Sequence, residues 1–115
     1  MKYEIQGITS DVYQTFDIDI PNKSEKVFFT LRYLPTQMAW YMNFEYGNVK
    51  VNGLKLTLSP NLLRSYRNII PFGLSVFSED SVYPLEVDAF ESERVKIYIL
   101  SEDYVNNLEE SLYAR

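Results

Sequence analysis

The sequence predicts a mainly β domain, a small antiparallel sandwich or partly open barrel of about seven strands. Three observations carry that expectation. Apolar and polar residues alternate with a period of two through most of the first half, the pattern of strands with one wet face. Turn signals recur at short intervals, among them Pro21-Asn22-Lys23-Ser24, Gly47-Asn48 and Asn52-Gly53. Aromatic residues reach 16%, with ten Tyr, seven Phe and one Trp, and such rings suit the half-buried surface of a sheet. At 115 residues, with 46% apolar and 23% charged residues, the chain can build one core, whereas two would each be marginal.

Each element follows from its own pattern. Phe16, Ile18 and Ile20 alternate with Thr15, Asp17 and Asp19 in the first clear strand. In the next, Val27, Phe29, Leu31 and Tyr33 share a face opposed by Phe28, Thr30, Arg32 and Leu34, and Pro35 ends it because proline has no N–H for a ladder. Residues 38–46 repeat the pattern with Trp40, Met42, Phe44 and Tyr46 on one face. Gly47-Asn48 takes the place of a two-residue hairpin turn, where Gly supplies the required positive φ. The chain returns through 49–51. Asn52-Gly53 follows so soon that it implies a bulge or a very short strand before Leu54, Leu56 and Leu58.

Alternation stops at Ser59. Ser59-Pro60 resembles an N-cap with Pro at the first helical position, which predicts one short helical turn near residues 60–66. A strand follows at 72–77. The acidic stretch 78–92 reads as a loop broken by Pro84 and anchored by Leu85, Val87 and Phe90. The final strand is 94–100, with Val95, Ile97 and Ile99 facing one way. Beyond it Tyr104, Leu108 and Leu112 are spaced by four, with Val105 beside them and Ser101 placed to cap, so a C-terminal helix is expected over 102–113. The organisation expected is a single β domain over 1–100 and a helical extension over 101–115.

The chain has no cysteine and no histidine. Thiolate nucleophiles, Cys-ligated zinc, the commonest general base and the commonest transition-metal ligand are thereby removed. Asp17 and Asp19 share a strand face, which a hard cation or acid–base chemistry could use, but the same spacing describes the solvated side of an amphipathic strand. Asp88, Glu91 and Glu93 lack the Gly hinge and oxygen spacing of a calcium loop, and the isolated glycines at 7, 47, 53 and 73 form no phosphate cradle. The expectation is no catalytic residue, no metal and no small-molecule cofactor. A net charge of −5, with no basic group larger than Lys50 with Lys55 or Arg64 with Arg67, weighs against nucleic acid. No apolar run is long enough to span a bilayer, and residues 1–5 lack the apolar core of a signal peptide, so no membrane partner is expected.

What remains is action by contact. Arg64, Tyr66 and Arg67 follow the helical turn, where two guanidinium groups and a phenol could hold a partner's carboxylates or backbone. Alternatively, Tyr66 packs in the core and the arginine stems cover apolar surface. The stripe Tyr104, Leu108 and Leu112 is a second candidate contact.

Leu31-Arg32-Tyr33, Trp40-Tyr41 within an alternating strand, Val51-Asn52-Gly53 and Leu56 resemble the first half of the phage baseplate plug proteins. The block Asn61-Leu62-Leu63-Arg64-Ser65-Tyr66-Arg67, followed by Phe72-Gly73-Leu74, is the most specific part of the resemblance, and Asp88-Ala89-Phe90 before strand 94–100 corresponds to that family's closing segment. The resemblance covers Tyr3 to Leu100. It implies a structural protein of a contractile tail, from a phage, a prophage or a tail-like particle. Such a protein is made in the host bacterial cytoplasm and lodged in the virion's baseplate, where it meets hub, spike or other tail proteins and plugs or braces the centre. The segment from Ser101 extends past where the family is expected to end, and its stripe is expected to dock on a neighbouring subunit. Two other readings stand beside this one. A carbohydrate-binding module would need Tyr and Trp rings grouped on an exposed face, and a hydrolase would use Asp17, Asp19 or the acidic loop. Neither the copy number nor the oligomeric state is legible.

Overall fold

The computed structural model describes residues 2–21, 23, 25–80 and 86–113. Among them, seven strands form two antiparallel sheets. The strands are β1 (Lys2–Glu4), β2 (Tyr13–Asp19), β3 (Lys26–Leu34), β4 (Ala39–Tyr46), β5 (Val49–Lys55), β6 (Phe72–Ser78) and β7 (Val95–Ser101). One sheet has the order β2-β3-β4-β5 and the other β1-β7-β6, so the architecture is an open sandwich rather than a closed barrel.

Period-two alternation sets which face goes inward. Val27, Phe29 and Leu31 of β3, and Trp40, Met42 and Phe44 of β4, are buried, while their alternates are half-buried or exposed except for Ala39, which is buried too. The register then aligns aromatic rings across strands. Phe16 opposes Phe29, and Phe29 opposes Phe44. Their centroids lie 5.7 and 6.2 Å apart, and Phe44 meets Phe72 of the other sheet edge-on at 5.9 Å. Such pairs add about 0.5–1.5 kcal/mol each beyond area burial. The row is the seam that holds the two layers together.

The β4–β5 hairpin closes through Gly47-Asn48 with Gly47 at φ 56°, the positive first position of a type II′ turn. Asn52-Gly53 proves to be a bulge inside a continuous β5. The register shifts between Met42 and Phe44, and the Gly53 N–H donates to Asn43 Oδ1 at 2.7 Å. Ser59 is not a helix cap. Its N–H donates to Val76 O at 3.1 Å and its carbonyl accepts from Val76 N at 3.0 Å, so its backbone is spent on a bridge to β6. The helical turn falls at the end of the predicted stretch, as a 3-10 turn at Arg64–Tyr66 preceded by Leu63 without side-chain capping. β1 was not expected; three residues are too few to show a period, and the edge of β7 makes them a strand by pairing Tyr3 with Ile99.

The loop after β6 is anchored as expected by Phe90, buried against Trp40 at 5.5 Å, and Val87 packs against the core. Pro84 and Leu85 lie outside the described residues. Arg94 donates to Asp80 at 2.9 Å and to Glu86 at 2.7 Å, and Glu86 O accepts from the Trp40 indole N–H at 3.1 Å. Burial works against the Arg94 charge, but hydrogen bonds to Glu86 and Asp80 outweigh it and raise the guanidinium pKa above its ordinary value. After β7, Ser101 accepts from the Tyr104 N–H at 3.2 Å and starts helix α1 (Glu102–Leu108), as its spacing predicted. The α-helix then widens into a π turn at Glu109–Tyr113 instead of running straight to residue 113.

Candidate functional site

The block 59–67 is built by local backbone bonds and one buried amide. Leu62 N–H donates to Leu74 O at 2.6 Å, and Asn61 Oδ1 accepts from Leu63 N at 3.1 Å and Leu74 N at 3.2 Å. These bonds seat Leu63 in the core and leave the next residues to wind tightly, Tyr66 N to Leu63 O at 2.8 Å and Arg67 N to Arg64 O at 3.2 Å. A 3-10 turn has three residues per turn, so side chains at i and i+3 stack. Arg64 and Arg67 therefore point the same way. Tyr66 turns inward, its ring edge-on to Phe44 at 6.1 Å.

Both guanidinium groups reach one carboxylate of this same chain. Arg64 holds Glu109 in a two-pronged grip, Nε to Oε2 at 2.9 Å and Nη2 to Oε1 at 3.2 Å. Arg67 Nε lies 3.3 Å from Glu109 Oε1, and its Nη1 donates to the Arg64 carbonyl at 2.9 Å. The Glu109 side chain is only 21% exposed, so this contact is less screened than the surface pairs. The arginines clasp the C-terminal segment onto the block 61–67.

The helical stripe is placed differently from its spacing. Val105 is the buried anchor, seated against Gly73 of β6, where a Cβ would come within 2.9 Å of Val105 Cγ2. Tyr104 and Leu108 are half-buried beside it, and Leu112 is 53% exposed. Of the six residues singled out, Arg64 and Arg67 meet the C-terminal segment through Glu109, Tyr66 turns to Phe44, and Tyr104, Leu108 and Leu112 lie on the segment that the arginines hold. Sequence reasoning placed Asn61 and Gly73 within the motifs of the resemblance but gave them no site role, and it passed over Glu109. A signal existed for the last: an acid at a helix C-terminus opposes the macrodipole, and that cost points to a cationic partner elsewhere.

Of the other acidic candidates, Asp17, Asp19 and Glu91 are engaged. Lys26 Nζ lies 3.5 Å from Asp17 and 3.6 Å from Asp19, and the charges of Asp19 and then Asp17 raise its pKa above the ordinary value. Glu91 accepts from Ser10 Oγ at 2.6 Å. Trp40 is fully buried, so the one indole is not on an exposed face with the tyrosines. No helix among the described residues is long and apolar enough to cross a membrane.

No curated protein matches the chain. The model of one family, the cyanophage baseplate Pam3 plug gp18, matches residues 3–102 of the 115. The match takes in the seven strands except for Lys2 of β1, includes the block 61–67, which contributes both arginines, and stops at the first residue of α1. With the sandwich and nearly the whole of its sequence inside that match, this chain belongs to the cyanophage baseplate Pam3 plug gp18 family.

Proposed function

We propose that the chain is a non-enzymatic structural part of a contractile-tail baseplate, and that it plugs or braces the central hub and spike region through protein–protein contacts. Membership of a baseplate plug family over residues 3–102 carries this reading. The contact surface at the C-terminal end supports it. Arg64 and Arg67 hold Glu109, Tyr66 supports the turn from beneath, and the clasp fixes the stripe Tyr104, Leu108 and Leu112 with Leu112 turned to solvent. A stable specific contact buries about 1,200–2,000 Å² in total, more than this stripe alone offers, so neighbouring loops take part.

Mass spectrometry of purified tail particles tests the reading. The full-length chain is expected in the particles, and Leu112→Asp, which leaves Val105 and Glu109 in place, is expected to lower its content about tenfold, the ratio that ~1.4 kcal/mol of lost contact produces. Undiminished incorporation of Leu112→Asp overturns the docking role of the stripe. Absence of the full-length chain overturns the baseplate assignment.

A further inference from the structure

Each sheet has an end strand along one side, and among the described residues no further strand pairs with the outer edge of β2. β1 ends one sheet and β2 ends the other, and between them lies a groove of about 770 Å³. Its apolar lining includes Ile5, Phe16, Ile18, Ile20 and Ile99. The opposite side of the sandwich is different, because the outer edge of β6 is already met by Ser59 and Leu62.

The ladder of β2 shows what its open edge offers. Tyr33 N donates to Val12 O at 2.8 Å and Ile20 N to Glu25 O at 3.3 Å, so the even-numbered residues of β2 bond to β3. In an antiparallel pair the alternate residues turn their N–H and C=O the other way. Those of Tyr13, Thr15, Asp17 and Asp19 therefore face the open edge. The edge is seven residues long, about 23 Å at 3.3 Å per residue, which is a whole strand.

We propose that this groove is a strand-docking site for an extended segment of another baseplate protein, one in which apolar residues alternate with Lys or Arg. The inference rests on the baseplate reading. Main-chain bonds to β2 would supply affinity, and alternate side chains would enter the groove beside Phe16 and Ile18. Charge selects the occupant. The residues lining the groove include three carboxylates, Glu4, Asp17 and Asp19, and one ammonium, Lys23. Among the described residues Lys26 is the single cation shared by Asp17 and Asp19, so that pair stays net negative. A second copy of this chain is the poorer occupant, because two-fold pairing of β2 with itself sets Asp17 against its own copy when centred on residue 17 and against the copy's Asp19 when centred on residue 18, and opposed like charges destabilise a sheet.

Hydrogen exchange on the full chain, free and within purified tail particles, tests this. The segment 13–19 is expected to exchange about tenfold more slowly in particles, as newly bonded amides do. A carbodiimide is expected to join Glu4, Asp17 or Asp19 to a lysine of another tail protein. Thr15→Pro removes an edge-facing N–H without breaking a bond to β3, and is expected to reduce incorporation at an unchanged thermal midpoint. Should that variant fold poorly, Asp17→Lys with Asp19→Lys gives the same readout through charge. Equal exchange of 13–19 in free and assembled chain overturns the proposal while leaving the baseplate reading intact. Cross-links only between copies of this chain overturn the stated occupant. A full-length chain missing from the particles means the baseplate reading has failed, and the groove falls with it.

Discussion

Gly73 is where the strictest demand on a single residue falls. Its φ is ordinary, so space rather than backbone freedom requires glycine. An added Cβ would lie 2.6 Å from Asn61 Oδ1 and 2.9 Å from Val105 Cγ2. Gly73→Ala is expected to cost about 1–3 kcal/mol, the usual range for overpacking, measured by urea unfolding followed at Trp40. Asn61→Ala strips the acceptor from two buried amides, those of Leu63 and Leu74, at about 1–3 kcal/mol for each donor left unpaired. The two substitutions together should cost less than their sum by more than about 0.5 kcal/mol, because removing the amide clears part of the clash. Strict additivity would place the strain at Val105 instead. In the sequence, Gly73 is an isolated glycine and Asn61 a polar residue in a turn. Nothing local marks either, since the atoms that constrain them come from three separate elements.

Among the elements, strands were the most legible. Their period is a property of neighbours in sequence, and more and less buried alternates follow it along β2, β3 and most of β4. The pieces that misled were those whose backbone finds a distant partner. Ser59 has the local chemistry of a cap, but β6 offers its carbonyl and N–H a bridge, and the helical turn begins five residues later. The C-terminal helix was placed correctly at Ser101, while its last turn is reshaped beside the clasp on Glu109. Glu109→Gln should release that turn. Amide exchange over 106–113 is expected to rise, with global stability lowered by only about 1 kcal/mol, as befits ion pairs that remain partly exposed. Exchange unchanged over 106–113 would show that Val105 alone holds the segment.

At the scale of the whole molecule, one aromatic seam joins the sheets, and it should make them unfold together. Phe44 contacts Phe29 within its own sheet, Phe72 across the sandwich and Tyr66 in the 3-10 turn. Phe44→Ala is expected to cost about 3–5 kcal/mol. Far-UV circular dichroism and Trp40 fluorescence should still report a single coincident transition. Separated transitions would mean that each sheet holds its own core. The sequence by itself determined the mainly β class, the inward faces of the strands, the Gly47-Asn48 turn and the absence of thiol and imidazole chemistry. All of these depend on residue type or on spacing over a few positions. Only the tertiary structure decided that Arg64 and Arg67 grip Glu109, that Gly73 must stay bare and that β1 and β2 are the end strands of the two sheets. Those features are set by contacts between segments far apart in the chain, and a short-range period carries no information about which distant segment arrives.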